Sequence, residues 1–314
     1  MLIRPPSTRH PGSRGAAETI RDLRGAMMRD FSADLAHLSI NTATLRKQLA
    51  LPAIIEACAR RGIRAICPWR DQVQAAGLAA VAEQIKDAGL VLSGYCRGGF
   101  FTADDAQGLR AALEDNRKAI DEAKALGAPC LVLVVGALPG ALQGKPQSTD
   151  IGLARSQVFD SIAATLDYAK SAGMPLAIEP LHPMQAADRA CVNTLEQALD
   201  ICDALDPGRS GALGVALDVY HVWWDPKLET QIARAGAKRL LAYHVCDWLV
   251  PTRDLVNDRG MMGDGIIELR KVRGWVEAAG YAGFAEVEIF SDRWWNTPAD
   301  EVLDKCAARY RSVV

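Results

Sequence analysis

The sequence predicts an α/β fold in which eight parallel strands close into a single (β/α)8 TIM barrel. The first observation is that short apolar runs alternate with amphipathic stretches from Ala33 onward. The second is that strands separated by helices cannot pair as hairpins, so neighbouring strands must be parallel. The third is that eight such units share the chain at roughly 35 residues each, which is typical of this barrel.

Eight apolar runs with polar ends are the predicted strands. They are LAHLSIN (35–41), IRAICPW (63–69), LVLSGYC (90–96), PCLVLVVG (129–136), MPLAIEP (174–180), GALGVALD (211–218), RLLAYHVCD (239–247) and FAEVEIF (284–290). Helical spacing of apolar residues marks LPAIIEACARRG, LAAVAEQIKDAG, LRAALEDNRKAIDEAKALGA and IAATLDYAKSAG. Each of these stretches runs to a glycine, where a left-handed residue ends a helix.

An open, doubly wound sheet is the competing α/β arrangement. Such a sheet normally carries a glycine-rich phosphate loop after its first strand. Here the first strand runs into NTATLRKQ, which contains neither GxGxxG nor GxxxxGK. The closed barrel is therefore favoured.

The composition argues against nucleic acid and membrane partners. The 314 residues include 36 Lys plus Arg against 38 Asp plus Glu, so the basic surplus that phosphate binding requires is missing. No apolar run reaches the roughly 18 residues that span a bilayer. The eight cysteines form no CxxC pair, a pattern typical of buried thiols in a reducing compartment. We therefore expect a cytoplasmic protein.

The N-terminal segment differs from the rest of the chain. Residues 1–30 are rich in Arg, Pro and Gly and have no apolar core of a secretory signal. We expect a disordered extension over 1–30 and the catalytic barrel over 31–314. Met27 and Met28 are alternative start positions, so the sequence leaves open whether residues 1–26 belong to the native protein.

Four metal-competent side chains lie at the ends of the last four predicted strands. They are Glu179 in LAIEP, Asp218 in GVALD, His244 in LAYHVCD and Glu288 in AEVEI. The carboxyl ends of barrel strands meet at one rim, and a shared cation would offset the repulsion and desolvation of clustered acids. Three carboxylates and an imidazole suit one divalent ion. We expect Mn²⁺, and Mg²⁺, Co²⁺ or Zn²⁺ stay open.

Glu286 is the alternative to Glu288 as the fourth ligand. The two residues lie on the same side of one strand, so alternation cannot distinguish them. Glu288 is preferred because it lies nearer the carboxyl end of the strand, where the rim is.

Further motifs surround these residues. They are IEP at Glu179, D-x-x-H from Asp218 to His221, H-V-x-D from His244 to Asp247, Arg259 followed by MGDG (262–265), and Y-x-G-x(4)-E from Tyr281 to Glu288. Together the motifs resemble those of the xylose isomerase-like TIM barrel superfamily, often called sugar phosphate isomerase/epimerase. Its members include ketose 3-epimerases and the catalytic subunits of C-glycoside deglycosidases. The resemblance runs from about Ala33 to the C-terminus.

The resemblance implies a metal-dependent isomerase or epimerase that acts on a sugar or oxo-sugar. Glu179, Asp218, His244 and Glu288 would hold the divalent ion, which polarises the substrate carbonyl and stabilises the enediolate formed next to it. Glu179 and Glu288 would remove and return the proton. A lyase with the same intermediate is the alternative: it would cleave a 3-oxo-glycoside, or dehydrate or decarboxylate an oxo-sugar acid.

Three further residues are expected near the reacting atoms. His182 follows Glu179 where the family often has Asn or another neutral polar residue. With an ordinary pKa of about 6.5 it could act as acid or base, as a lyase would require, or only hydrogen-bond a loop. His221 is expected to contact substrate or to orient Asp218, and Arg259 to meet a substrate oxygen.

Arg70 and Arg97 directly follow the second and third predicted strands, with Trp69 beside them, at the rim opposite the metal ligands. Guanidinium groups and an aromatic wall suit a sugar ring that carries a carboxylate or another oxygen-rich substituent. Packing with solvent-facing charge is the alternative for these residues. The Gly- and Pro-rich segment 136–150 is a candidate lid.

Two other classes fit the residues less well. An endonuclease with several zinc ions needs more ligands than five histidines supply, and the charge balance opposes DNA binding. A metal-bearing scaffold without activity is the other class. The sequence leaves open the identity of the sugar and whether a homo-oligomer or a small partner subunit forms.

Overall fold

Strands and helices alternate through residues 28–314, the part of the chain that this computed structural model describes. The strands are β1 (Leu38–Asn41), β2 (Ala65–Cys67), β3 (Val91–Leu92), β4 (Tyr95–Gly99), β5 (Leu131–Val134), β6 (Leu176–Ile178), β7 (Leu213–Asp218), β8 (Leu240–Val245), β9 (Asp247–Trp248), β10 (Arg259–Gly260) and β11 (Ala285–Val287). The helices are α1 (Leu51–Arg60), α2 (Arg70–Ala76), α3 (Leu78–Asp87), α4 (Ala106–Leu126), α5 (Ile151–Ala172), α6 (Leu195–Leu205), α7 (Val219–Val222), α8 (Leu228–Arg239), α9 (Leu269–Ala278), α10 (Asp292–Trp295) and α11 (Ala299–Val313).

Nine of the strands form one parallel sheet that closes almost completely. Their order is β3-β2-β1-β11-β8-β7-β6-β5-β4. The two edges of this sheet meet because Trp69, just after β2, pairs with Cys96 of β4 in a parallel bridge. The predicted (β/α)8 barrel is confirmed, and β9 and β10 form a separate antiparallel ribbon.

The ninth strand arises because the third predicted strand is interrupted. β3 pairs with β2 and β4 pairs with β5, so the chain changes partner between them. At the interruption, the Ser93 N–H donates to the Ile66 carbonyl at 3.0 Å, whereas the Tyr95 N–H donates to the Cys130 carbonyl at 3.0 Å. β3 and β4 together take the place of the third predicted strand, so the barrel has eight strand positions.

Two of the long helices end at the glycines that the sequence predicts. Gly127 and Gly173, with φ values of 72° and 70°, end α4 and α5 in the left-handed conformation that other residues adopt only with strain. At the other end of these helices, Asp105 and Asp150 accept hydrogen bonds from the backbone N–H three residues ahead. These caps satisfy backbone groups that a helix leaves unpaired.

Apolar packing occurs in two layers. The larger core lies between the strands and the surrounding helices. A smaller cluster, consisting of Cys67, Cys96, Cys130, Val132, Ala177, Ala216 and Ala242, is packed separately. All eight cysteines are free and buried. Within residues 28–314 no helix has both the length and the hydropathy that crossing a bilayer requires.

The predicted N-terminal extension falls mostly outside the described residues, which exclude 1–27. Near its end, Arg29 contacts the barrel. The Arg29 Nε donates to Glu277 Oε1 at 3.0 Å, and its Nη1 donates to the carbonyls of Ala282 and Gly283 at 3.0 and 2.9 Å. Arg29 thus contacts α9 and the segment before β11.

A buried arginine ties α6 to the start of β8. Arg239 is fully buried and donates to the Asp206 carboxylate at 2.9 Å and to the carbonyls of Cys202 and Leu213 at 3.1 and 2.6 Å. Asp206 is buried as well. Removing the guanidinium would leave a buried carboxylate without its counter-ion.

We expect Arg239→Leu to lower the free energy of unfolding by about 3–5 kcal/mol, as measured by chemical denaturation. Arg234→Leu is the matched control, because Arg234 pairs with the more exposed Asp200 and Asp203. Its cost should stay near 1 kcal/mol or below. Equal losses in the two variants would show that burial of the ion pair does not determine how much it contributes to the free energy of unfolding.

Candidate active site

The structure brings the four predicted metal ligands together at the carboxyl ends of the strands. Glu179 and Glu288 each follow a strand by one residue, Asp218 ends β7, and His244 lies within β8. Their ligand atoms lie within 4.8 Å of one another, and all four side chains are buried. His244 pairs in register with Asp218, so both side chains face the same layer of the barrel interior.

Glu286 lies against the other nitrogen of the same imidazole. It pairs in register with His244, and its Oε1 is 3.4 Å from His244 Nε2, whereas Glu288 Oε2 is 3.7 Å from His244 Nδ1. Asn41 Nδ2 and Ser93 Oγ donate to the Glu286 carboxylate at 2.8 and 2.7 Å. From the sequence, Glu286 was predicted only as an alternative metal ligand, and its position beside the second nitrogen of His244 was not predicted. Asn41, a polar residue at the end of the first predicted strand, was the sequence feature that could have indicated a polar contact there.

Three buried atoms of the cluster have unused hydrogen-bonding capacity. Glu179 Oε1 and His244 Nδ1 are 3.0 Å apart, and His244 Nε2 is 3.4 Å from Glu286, yet among the described residues none of the three has a well-aligned hydrogen-bond partner. Buried polar atoms in proteins nearly always have a partner. Three carboxylates and an imidazole are also a donor set that hard and borderline divalent cations accept. The residues present therefore fit a divalent metal ion.

Arg259 supplies positive charge to this cluster. Its Nη1 donates to Asp218 Oδ2 at 2.7 Å and to Glu288 Oε2 at 3.1 Å, and its Nη2 is 3.1 Å from His221 Nε2. His221 Nδ1 accepts the backbone N–H of His182 at 3.1 Å. Burial lowers the pKa of His221 to about 3, so its ring is neutral.

The two glutamates of the cluster have opposite pKa shifts. Burial raises the pKa of Glu179 to about 7, against the effect of the neighbouring His244. Burial also acts to raise the pKa of Glu288, but contact with His244 and Arg259 outweighs it and lowers the pKa to about 2. Contact with Arg259 and His244 thus favours the charged form of Glu288, whereas burial favours the neutral form of Glu179.

Asp247 holds the loop that carries Arg259. Its carboxylate accepts four backbone N–H groups at 2.8 to 3.0 Å, from Trp248, Ile267 and the two glycines of the segment 262–265. The ribbon of β9 and β10 pairs Arg259 with Trp248. Asp247 was identified in the sequence as part of H-V-x-D, but no role was predicted for it. Its position at the end of a strand and ahead of a glycine-rich segment was the sequence feature that could have indicated its hydrogen bonds to the loop.

A cavity of ≈ 230 Å³ opens beside the cluster. Ligand sites for drug-sized molecules span roughly 300–1,000 Å³, so this cavity suits one sugar ring. Leu142 from the predicted lid segment 136–150 lines it. The predicted site residues that line it are Glu179, Glu288, His221, Arg259, Arg97 and Trp69.

Arg70 lies away from this cavity. Its Nε donates to Glu122 Oε2 at 2.8 Å and its Nη1 to Asp115 Oδ2 at 2.7 Å. Arg70 is the first residue of α2, and both partners belong to α4. The structure therefore places its charge between two helices outside the barrel, not with the other predicted substrate-binding residues.

His182 does not line the cavity either. Its ring stacks on Trp248 with centroids 4.7 Å apart, and its Nδ1 accepts the backbone N–H of Met184 at 3.3 Å. Burial lowers its pKa. The backbone N–H of His182 therefore contacts His221, whereas its imidazole ring packs against Trp248.

Comparison with known proteins places this geometry in a family. The sequence profile described as xylose isomerase-like TIM barrel matches residues 55–310. The chain belongs to this family. The resemblance predicted from the motifs is thereby confirmed. Among curated relatives of this xylose isomerase-like barrel, the inosose isomerase of Bacillus velezensis is 24% identical over 296 residues, which cover 88% of this chain and 96% of that protein.

Solved structures share the fold. Protein SMc04130 from Sinorhizobium meliloti is 57% identical, with a TM-score of 0.84, and the match covers 89% of this chain and 99% of that one. An IolI protein with a bound zinc atom is 20% identical, with a TM-score of 0.75, over 88% of this chain and 98% of that one. At 20% identity the similarity shows the fold alone.

We expect Asp247→Ala to lower the free energy of unfolding by about 3 kcal/mol, because four backbone N–H groups lose a charged acceptor. Denaturant titration measures this loss, and limited proteolysis should cut the 248–267 loop faster. Asp264→Ala is the control within the same loop. Asp264 pairs with Arg309 and Arg293 near the surface, so its cost should be about 1 kcal/mol or less. A smaller loss for Asp247→Ala than for Asp264→Ala would contradict the assignment.

Proposed function

We propose that this protein is a divalent-metal-dependent isomerase or epimerase that removes a proton next to the carbonyl of a small sugar or oxo-sugar. The observation that carries the proposal is the buried convergence of Glu179, Asp218, His244 and Glu288 within 4.8 Å beside a cavity of ring size. The similarity to an inosose isomerase supports the reaction class. Family membership alone does not select a substrate.

We propose that these four residues hold one divalent ion. We propose Mn²⁺ as this ion. The alternatives are Zn²⁺, which the zinc atom in the IolI structure favours, followed by Mg²⁺ and Co²⁺. A cation bound there supplies Lewis acidity that polarises a sugar carbonyl and acidifies the adjacent C–H.

The proton transfers fall to the two glutamates in this proposal. Glu179 and Glu288 both line the cavity and directly follow β6 and β11, which lie on two sides of β7 and β8. Each can therefore meet a bound sugar from a different direction. Arg259 and His221 also line the cavity and would orient substrate oxygens, while Trp69 would cover one face of the ring.

A lyase that begins with the same proton removal is the alternative reaction. It needs a further acid at the leaving group, for which the sequence suggested His182. The stacking of that imidazole on Trp248, outside the cavity lining, favours the isomerase over the lyase.

We expect the Mn²⁺-loaded protein to incorporate solvent deuterium into a recovered isomer, and Glu179→Gln to lower that rate by about 100-fold or more. Mass spectrometry of ketoses, inososes and 3-oxo-glycosides incubated in D₂O measures the exchange. Glu196→Gln is the control, because Glu196 pairs with Lys227 at the surface. Release of an aglycone, water or carbon dioxide would support the lyase instead.

We expect Glu286→Gln to weaken Mn²⁺ binding by about 10- to 100-fold, because a carboxylate behind a ligating histidine fixes the ring and raises its basicity. Equilibrium dialysis with elemental analysis measures this affinity without turnover. Glu196→Gln again serves as the control. An unchanged affinity in Glu286→Gln would rule out a role for that carboxylate in metal binding.

A further inference from the structure

Arg97 differs from the other three arginines that line the cavity because no described carboxylate lies at ion-pair distance from it. Arg46 pairs with Asp71 and Arg259 with the carboxylate cluster, whereas Arg189 Nε lies 3.8 Å from Asp188 and has no hydrogen-bond acceptor among residues 28–314. Across the described range 28–314, Arg97 has neither an ion pair nor a hydrogen-bond acceptor, although it lines the cavity. Its guanidinium therefore offers hydrogen-bond donors that no described protein group uses.

The surroundings hold this guanidinium in place. Its central carbon lies 4.0 Å from the centroid of the Phe100 ring and 5.9 Å from that of Trp69. The Trp69 indole N–H donates to Asn41 Oδ1 at 2.7 Å, which fixes that ring. A guanidinium stacked on aromatic faces keeps its N–H groups at the edge, where a planar anion can accept two of them.

The charge of Arg97 is poorly compensated. Burial lowers its pKa to about 10, although Cys96 and Asp71 oppose that shift. Asp71 is already paired with Arg46. Stacking on aromatic rings offsets only part of the desolvation of a cation. A negative group brought by a ligand would supply what is missing.

We propose that Arg97 binds a carboxylate of the substrate, so that the substrate is an acidic sugar such as a uronate or an oxo-sugar acid. The inference rests on the proposed function, because it assumes that the cavity holds a sugar. Arg97 lies in β4, which is separated by β5 from the strand that precedes Glu179, and by β1 and β2 from the strand that precedes Glu288. A sugar whose carbonyl faces those glutamates can therefore present a carboxylate to Arg97 from its other side.

The test compares uronates with their parent hexoses. Calorimetry on the Mn²⁺-loaded protein uses D-glucuronate, D-galacturonate, D-mannuronate and their neutral hexoses as probes. We expect at least one uronate to bind about tenfold more tightly than its parent. Arg97→Gln should remove this preference, because uronate affinity falls by more than hexose affinity does. If no uronate exceeds its hexose, or if the preference survives in Arg97→Gln, the proposal is wrong.

Two further variants separate charge from folding and from general positive potential. Arg97→Lys keeps the charge without the planar pair of donors, so it should show an intermediate preference. Arg46→Gln removes a cation that lines the same cavity and stacks on the same Trp69, but one already paired with Asp71. It should retain the uronate preference. Equal losses in Arg46→Gln and Arg97→Gln would point to general electrostatics and overturn the assignment.

The binding test is independent of turnover. Uronate preference through Arg97 without deuterium incorporation would sink the isomerase and leave the anion site standing. Deuterium incorporation into neutral sugars without any uronate preference would support the isomerase and contradict the anion site. A hexose 6-phosphate that binds more tightly than every uronate would show that the site selects phosphate, contrary to the proposal.

Discussion

The in-register pairing of β8 with both of its neighbours places His244 at the centre of the site. On one side its partner is Asp218, and on the other it is Glu286. Parallel pairing directs side chains of one layer to the same interior level, so a single histidine contacts carboxylates through both ring nitrogens. A one-residue shift of β8 would turn the imidazole out of the barrel and separate the ligand set.

Burying four carboxylates so close together requires compensation. Arg259 supplies a cation to Asp218 and Glu288, and Asn41 and Ser93 donate to Glu286. Among the described residues, Glu179 Oε1 and both ring nitrogens of His244 are left without such partners, and a metal ion fits best beside Glu179 Oε1 and His244 Nδ1. The site is thus a set of charges of which the protein itself neutralises only part. Arg97, which has no ion-pair partner among residues 28–314, lines the same cavity.

The position of a residue at the end of a strand predicted which side chains lie together. The rule that barrel strands end at one rim was enough to select Glu179, Asp218, His244 and Glu288, which the structure brings together. It was less informative for residues that follow strands at the start of helices. Arg70 and His182 both stand just beyond a strand, yet one turns to α4 and the other stacks on Trp248.

The alternation of apolar runs and amphipathic helices by itself determined a parallel sheet covered by helices, and the lack of a glycine-rich phosphate loop after the first strand favoured a closed barrel over an open sheet. The polar residues that end these apolar runs also identified Glu179, Asp218, His244 and Glu288 as candidates for one rim. Only the tertiary structure decided which neighbours those side chains meet. Glu286 lies behind His244, Asp247 holds the Arg259 loop, and Arg97 has no ion-pair partner within residues 28–314. These contacts join residues far apart in the chain, and their distances depend on register and helix packing that no local pattern encodes.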